Sequence, residues 1–140
     1  MILKKYLGID RRRHSRYAVA VEVEFQVWDE SRQEPRTGKV RGRLSDISPT
    51  GACLQTNHTM IEGHHLLLDA DPEGNTPLVL SLPSPSEGEP WNIKAQVLWY
   101  NKIGTERRYQ FDVGVKFVDF SPSDEKNLRT LLTSLSENDS

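Results

Sequence analysis

A cluster of four arginines near the start of the chain has the strongest chemical character in the sequence. Arg11, Arg12, Arg13 and Arg16 lie within six residues, and Arg12 and Arg16 form the spacing Arg-x-x-x-Arg. A guanidinium group is planar, permanently charged and forked, so it suits two-point contacts with phosphate. The same geometry matches the O6 and N7 acceptors of a guanine edge. The cluster therefore indicates binding of an anionic ligand that carries phosphate or guanine.

A second motif, Asp-x-Ser-x-x-Gly, follows about thirty residues later at Asp46, Ser48 and Gly51. A carboxylate accepts hydrogen bonds from the ring N–H and amino group of guanine, and a serine hydroxyl donates or accepts. Gly51 permits either a positive φ or the close approach of another backbone. Taken alone, the motif is also typical of a simple tight turn.

The charge distribution limits the size of the expected ligand. The net charge is −2, yet residues 1–16 carry six basic side chains against Asp10 alone, a charge of +5. The remainder therefore carries −7 and would repel a large polyanion. We expect residues 1–16 to form a flexible basic arm that holds a small anion locally. A solvated, disordered terminus is the simpler alternative.

The elements that must position these motifs are mostly β-strands. Apolar residues alternate from Tyr17 to Val27, and alternation returns around residues 40–44, 91–100 and 111–117. Ala52 to Thr56 reads as extended, and the short apolar runs 66–69 and 78–82 predict two further strands. In residues 91–100 the alternation groups Trp99 with the inward-facing Ile93, Ala95 and Val97.

The end of the chain changes to helical spacing. Ser121 is suited to the N-cap and Pro122 to the first turn, and a leucine stripe at three- and four-residue spacing runs to about Leu135. The predicted fold is mainly β: a six-stranded antiparallel β-barrel with a C-terminal amphipathic α-helix. The predicted domain covers residues 17–136 and follows the arm of residues 1–16.

Other function classes lack their signatures. No Gly-x-Ser-x-Gly elbow, phosphate-binding loop or dinucleotide fingerprint is present, so an enzyme and a bound cofactor are not expected. Neighbouring His64 and His65 would point to opposite faces of a strand, which predicts solvated loop histidines and no metal site. The single Cys53 reads as a small core residue. No apolar run is long enough to span a membrane, so we expect a cytoplasmic protein.

In this order, the two motifs resemble those of the PilZ family of bacterial cyclic di-GMP receptors. The resemblance runs from about Arg11 to Leu135 and includes the strands around Trp99 and Val113 to Phe117. It implies that Arg12 and Arg16 contact phosphate and guanine, with Arg11 and Arg13 as additional charges. It also implies that Asp46 and Ser48 bind the guanine edge while Gly51 closes the turn. Trp99 stands where some members have an aromatic residue beside the ligand, but its inward position equally fits the core.

Three functions follow from this pattern. The first is a cyclic di-GMP receptor and adaptor whose arginine arm becomes ordered on ligand binding and which signals to a separate effector protein. The second is a PilZ-like interaction module that does not bind nucleotide. The third is a barrel that binds single-stranded nucleic acid. The acidic body opposes the third, so we expect no nucleic-acid polymer and no membrane insertion.

Overall fold

A closed antiparallel barrel of six strands forms the body of the protein. The structure is a computed structural model that describes residues 17–71, 73–74, 76–83, 90–104 and 108–138. The barrel strands pair in the order β1-β3-β4-β9-β8-β7, and β7 pairs back onto β1 to close the sheet. The predicted six-stranded barrel is therefore confirmed.

The barrel strands alternate with short strands and turns and precede a single helix in the described part of the chain. Their bounds are β1 Tyr17–Asp29, β2 Glu34–Pro35, β3 Val40–Ser48, β4 Gly51–Thr56, β5 Met60–Ile61, β6 His64–His65, β7 Leu78–Leu82, β8 Trp91–Lys102, β9 Phe111–Val118 and α1 Pro122–Asn138. Strand β2 pairs only with the end of β1 and lies outside the barrel. Strands β5 and β6 form a separate two-stranded hairpin.

Alternate side chains of the barrel strands fill one continuous apolar core. Val21, Val23, Phe25 and Val27 of β1 are all buried, as their spacing predicts. Gln26, which the alternation in β1 places on the outward face, is buried too. Its side-chain amide donates to the carbonyl of Thr37 at 3.0 Å, and this hydrogen bond satisfies the buried amide.

The segment between β4 and β7 differs from its prediction. Residues 66–69 form turns and not a strand, because the His65 side chain caps this segment: its Nδ1 accepts from the backbone N–H groups of Leu67 and Leu68. The predicted solvated character of His64 is also wrong, since His64 is buried on β6. An apolar run alone could not reveal this local hydrogen bonding.

Helix α1 begins as the sequence predicts. Ser121 Oγ accepts from the Asp124 N–H, and Asp124 Oδ2 accepts from the Ser121 N–H, both at 3.0 Å, which is a reciprocal cap. Asp124 Oδ1 also accepts from Trp91 Nε1 at 2.8 Å and so attaches the helix to β8. Leu128 and Leu131 pack into the barrel core. None of the described helices is long and apolar enough to cross a membrane.

Candidate functional site

The Asp-x-Ser-x-x-Gly motif forms the tip of the β3–β4 hairpin. Asp46 and Ser48 belong to β3 and Gly51 to β4, and the turn itself is only Pro49 and Thr50. Ser48 Oγ lies 3.1 Å from Thr50 Oγ1 and accepts from the Thr50 N–H at 3.3 Å. Asp46 and Ser48 are 1% and 2% exposed, so the motif is buried more deeply than an ordinary surface turn.

Gly51 allows a neighbouring strand to approach its backbone closely. A Cβ atom at this position would lie 2.2 Å from the carbonyl oxygen of Val115 on β9. Gly51 pairs with Lys116 in the β4–β9 ladder. A side chain at position 51 would therefore push β9 away from the hairpin, and glycine allows β9 to pack closely against it.

Two β-bulges turn Asp46 and Trp99 to the outer face of the barrel. The β3–β4 register shifts between Leu44 and Asp46, and the β8–β9 register shifts between Val97 and Trp99. Without these extra residues, strict alternation would point Asp46 and Trp99 into the core. The prediction that Trp99 faces inward is therefore wrong.

The outer face carries one row of residues across four neighbouring strands. Asp46 pairs with Cys53, Cys53 with Gly114, and Gly114 with Trp99. A Cβ on Gly114 would lie 2.2 Å from Cε2 of Trp99, so the half-buried indole rests directly on the bare backbone of β9. The two ends of the row are thus a carboxylate and an aromatic ring, which can bind the edge and the face of a nucleobase.

A pocket of about 350 Å³ lies along this row. Its walls include Gly51, Cys53, Trp99, Gly114 and Lys116. One wall is aromatic and another is cationic, and the two glycines contribute only backbone to the wall between them. The pocket can therefore take a flat, anionic group.

Cys53 is buried, as predicted for a small core residue, but it lies outside the main apolar core cluster and lines this pocket. Burial, followed by the nearby carboxylates of Asp112 and Asp46, raises the pKa of its thiol to about 12. The thiol is therefore protonated at neutral pH. It forms a neutral part of the wall and is not activated as a nucleophile.

A second polar cluster, centred on Tyr109, lies beside this row, towards the ends of β3 and β4 that are farther from the hairpin tip. Arg43 and Arg108 both contact the ring of Tyr109, with their Cζ atoms 5.4 and 5.2 Å from the ring centre. Its hydroxyl donates to Glu22 at 3.1 Å; burial, followed by this bond, raises the pKa of Tyr109. Arg43 also donates to Gln55, so its charge is already engaged within the barrel wall.

The first described residue of the chain joins the barrel at the candidate site. Tyr17 pairs with Ile47 and Ala18 with Asp46. The predicted arginine motif precedes Tyr17 directly in the sequence, but Arg11, Arg12, Arg13 and Arg16 lie outside the described residues. The structure thus brings Asp46, Ser48, Gly51 and Trp99 to one face, and the arginines remain a sequence-based prediction.

Sequence reasoning missed three residues of this face: Thr50, Gly114 and Lys116, all of which line the pocket. A glycine inside an alternating strand, as Gly114 is, indicates a close approach and could have marked the position. In the described part of the chain, no three histidine, cysteine or carboxylate side chains cluster closely enough to hold a metal ion.

Comparison with solved structures finds the same fold in proteins of low sequence identity. The PilZ domain of YcgR from Escherichia coli, solved with c-di-GMP, has a TM-score of 0.61 at 14% identity, covering 92% of this chain and 94% of that one. Bacillus subtilis MotI/DgrA, an inhibitor of motility, has a TM-score of 0.55 at 14% sequence identity, and the match covers 92% of this chain and 51% of that one. MrkH from K. pneumonia, in its c-di-GMP complex, has a TM-score of 0.55 at 18% sequence identity, and the match covers 92% of this chain and 54% of that one. The chain thus spans nearly all of the YcgR domain but about half of the other two proteins.

A comparison with curated proteins gave no match. The comparison with protein-family models, in contrast, matches the PilZ domain over residues 10–134, which is most of the sequence. This match includes both motifs and all six barrel strands. The chain therefore belongs to the PilZ domain family.

Proposed function

We propose that this chain is a cyclic di-GMP receptor without catalytic activity, which acts in the cytoplasm and signals to a separate effector protein. The observation that carries the proposal is the meeting of Asp46, Ser48 and Trp99 on one outer face, at the point where β1 begins. Family membership supports the same ligand, as do the YcgR domain and MrkH, which were both solved with c-di-GMP.

Each motif residue has a distinct role in this proposal. Arg12 and Arg16 bind phosphate and the guanine edge with bidentate contacts, and Arg11 and Arg13 add positive charge. Asp46 accepts from the ring N–H and amino group of guanine, assisted by Ser48. Trp99 offers its half-buried ring to a base. A ligand that reaches Asp46 and Ser48 must displace the atoms that now cover their oxygen atoms.

Binding and ordering of the arm are coupled in the proposed mechanism. Ordering residues 11–16 costs on the order of 1–2 kcal/mol per residue in backbone entropy. Bidentate arginine contacts at about 1–3 kcal/mol each offset that cost. The result is reversible binding near micromolar affinity, weakened by salt, as a sensor requires. The newly ordered arm then presents a changed surface to the effector protein.

Calorimetry with cyclic di-GMP tests the proposed function directly, with GMP and cyclic di-AMP as ligand controls. We expect saturable binding of cyclic di-GMP alone at micromolar concentrations. Absence of binding by a folded barrel would instead support an interaction module that works without nucleotide.

Amide hydrogen exchange tests the coupled ordering of the arm. Residues 8–16 should exchange freely without ligand and become protected with it, while β1 from Val21 to Val27 stays protected throughout. A chain lacking residues 1–16 should remain folded but lose binding. If the free arm is already as protected as β1, ordering of the arm is not the signal.

A further inference from the structure

Lys116 lies where it can extend the binding site beyond both sequence motifs. It is on β9, lines the pocket beside Trp99, and pairs in the ladder with Gly51. The side chain is exposed, and within the described part of the chain it has no hydrogen-bond or ion-pair partner. Arg43 and Arg108, in contrast, are held by Gln55, Tyr109 and Glu22. Lys116 is thus an available positive charge at this pocket.

The bare backbone of Gly51 separates Lys116 from the Ser48 hairpin tip. Adjacent strands lie about 4.8 Å apart, so β9 is about 10 Å from β3 on the same face. The strand that follows the arginine motif pairs with β3 on its other side. If the arginines of the motif bind the ligand next to the start of β1, a lysine on β9 acts from the opposite side of the same ligand.

We infer that Lys116 binds a phosphate of the cyclic dinucleotide on the side away from the arginine arm. This inference rests on the proposed function. Cyclic di-GMP carries two phosphates, and the arm arginines can neutralise the one nearer to β1. An ammonium group is a compact point charge that suits a phosphate better than the planar edge of a base. Lys116 thereby helps to select a ligand with two separate phosphates over a mononucleotide, which has only one.

The test compares cyclic di-GMP affinity by calorimetry in the wild type and in Lys116→Gln, Lys116→Arg and Lys102→Gln. Lys102 is an exposed lysine on the neighbouring strand β8 outside the pocket, so its variant removes the same charge elsewhere. We expect Lys116→Gln to weaken binding about tenfold and to reduce its salt dependence. Lys116→Arg should bind within about threefold of the wild type, because it keeps the charge. Lys102→Gln should bind like the wild type.

The outcomes separate this inference from the proposed function. If the wild type binds cyclic di-GMP and Lys116→Gln binds equally well, Lys116 is only a solvated strand lysine and the inference is wrong. An equal loss in Lys116→Gln and Lys102→Gln would indicate a general charge effect and would also overturn it. If the folded wild type does not bind cyclic di-GMP at all, the proposed function itself fails.

Discussion

Substitution of Gly114 by alanine should disturb the protein only through Trp99. The backbone of Gly114 does not have a positive φ, so alanine itself fits the strand. The new Cβ would lie 2.2 Å from Cε2 and 2.3 Å from Nε1 of the indole. Because carbon atoms pack at about 3.5 Å, the ring must withdraw by more than about 1 Å from β9. We expect Gly114→Ala to lower the free energy of unfolding by about 1–3 kcal/mol, the range for overpacked sites.

The effect of Gly114→Ala on the free energy of unfolding should change sign when the indole is absent. In a Trp99→Ala background the clash is gone, and Gly→Ala in a strand should stabilise by about 0.5–1 kcal/mol through the loss of unfolded-state entropy. Gly114 and Trp99 should therefore show a coupling free energy of about 1.5–4 kcal/mol in a double-mutant cycle. Urea unfolding followed by far-UV circular dichroism measures all four proteins without depending on tryptophan emission.

The cycle also decides what Trp99 contributes to binding. If the indole contacts the ligand, Gly114→Ala should weaken cyclic di-GMP binding in the wild type and have no further effect on Trp99→Ala. An equal loss of stability from Gly114→Ala in both backgrounds would show that the indole does not rest on Gly114. The position of Trp99 in the pocket wall would then be wrong.

Three further predictions concern the motif residues and His64. Arg12→Ala and Arg16→Ala should each weaken cyclic di-GMP binding at least tenfold in calorimetry while the barrel stays folded, because each removes a charged bidentate contact; wild-type affinity in both would refute their role. Asp46→Asn should reduce the preference for cyclic di-GMP over cyclic di-AMP, whereas unchanged discrimination would make Asp46 only a turn residue. Burial, followed by the charge of Arg36, lowers the pKa of His64 below its ordinary 6.5. Because the unfolded chain then binds a proton that the folded one does not, stability should fall as pH drops below about 6.5. A His64→Gln variant should lose less stability over that range in urea titrations; an equal loss would contradict the lowered pKa.

The sequence by itself determined the features that depend on local periodicity. Alternation in β1 identified a strand with Val21, Val23 and Phe25 inside, and Ser121 identified the start of the helix. These predictions succeeded because neighbouring residues alone decide which face a side chain takes and how a helix N-terminus is capped. The ordered motifs also identified the family, which the match over residues 10–134 confirms.

Only the tertiary structure decided which face the site residues occupy. Periodicity placed Trp99 on the inward side of its strand, but the bulge after Val97 turns it outward, and the bulge after Leu44 does the same for Asp46. A bulge depends on pairing between strands that are distant in sequence, so alternation within one strand does not reveal it. The pocket has the same origin: Gly51, Gly114, Trp99 and Lys116 line one pocket only after β4, β9 and β8 have paired.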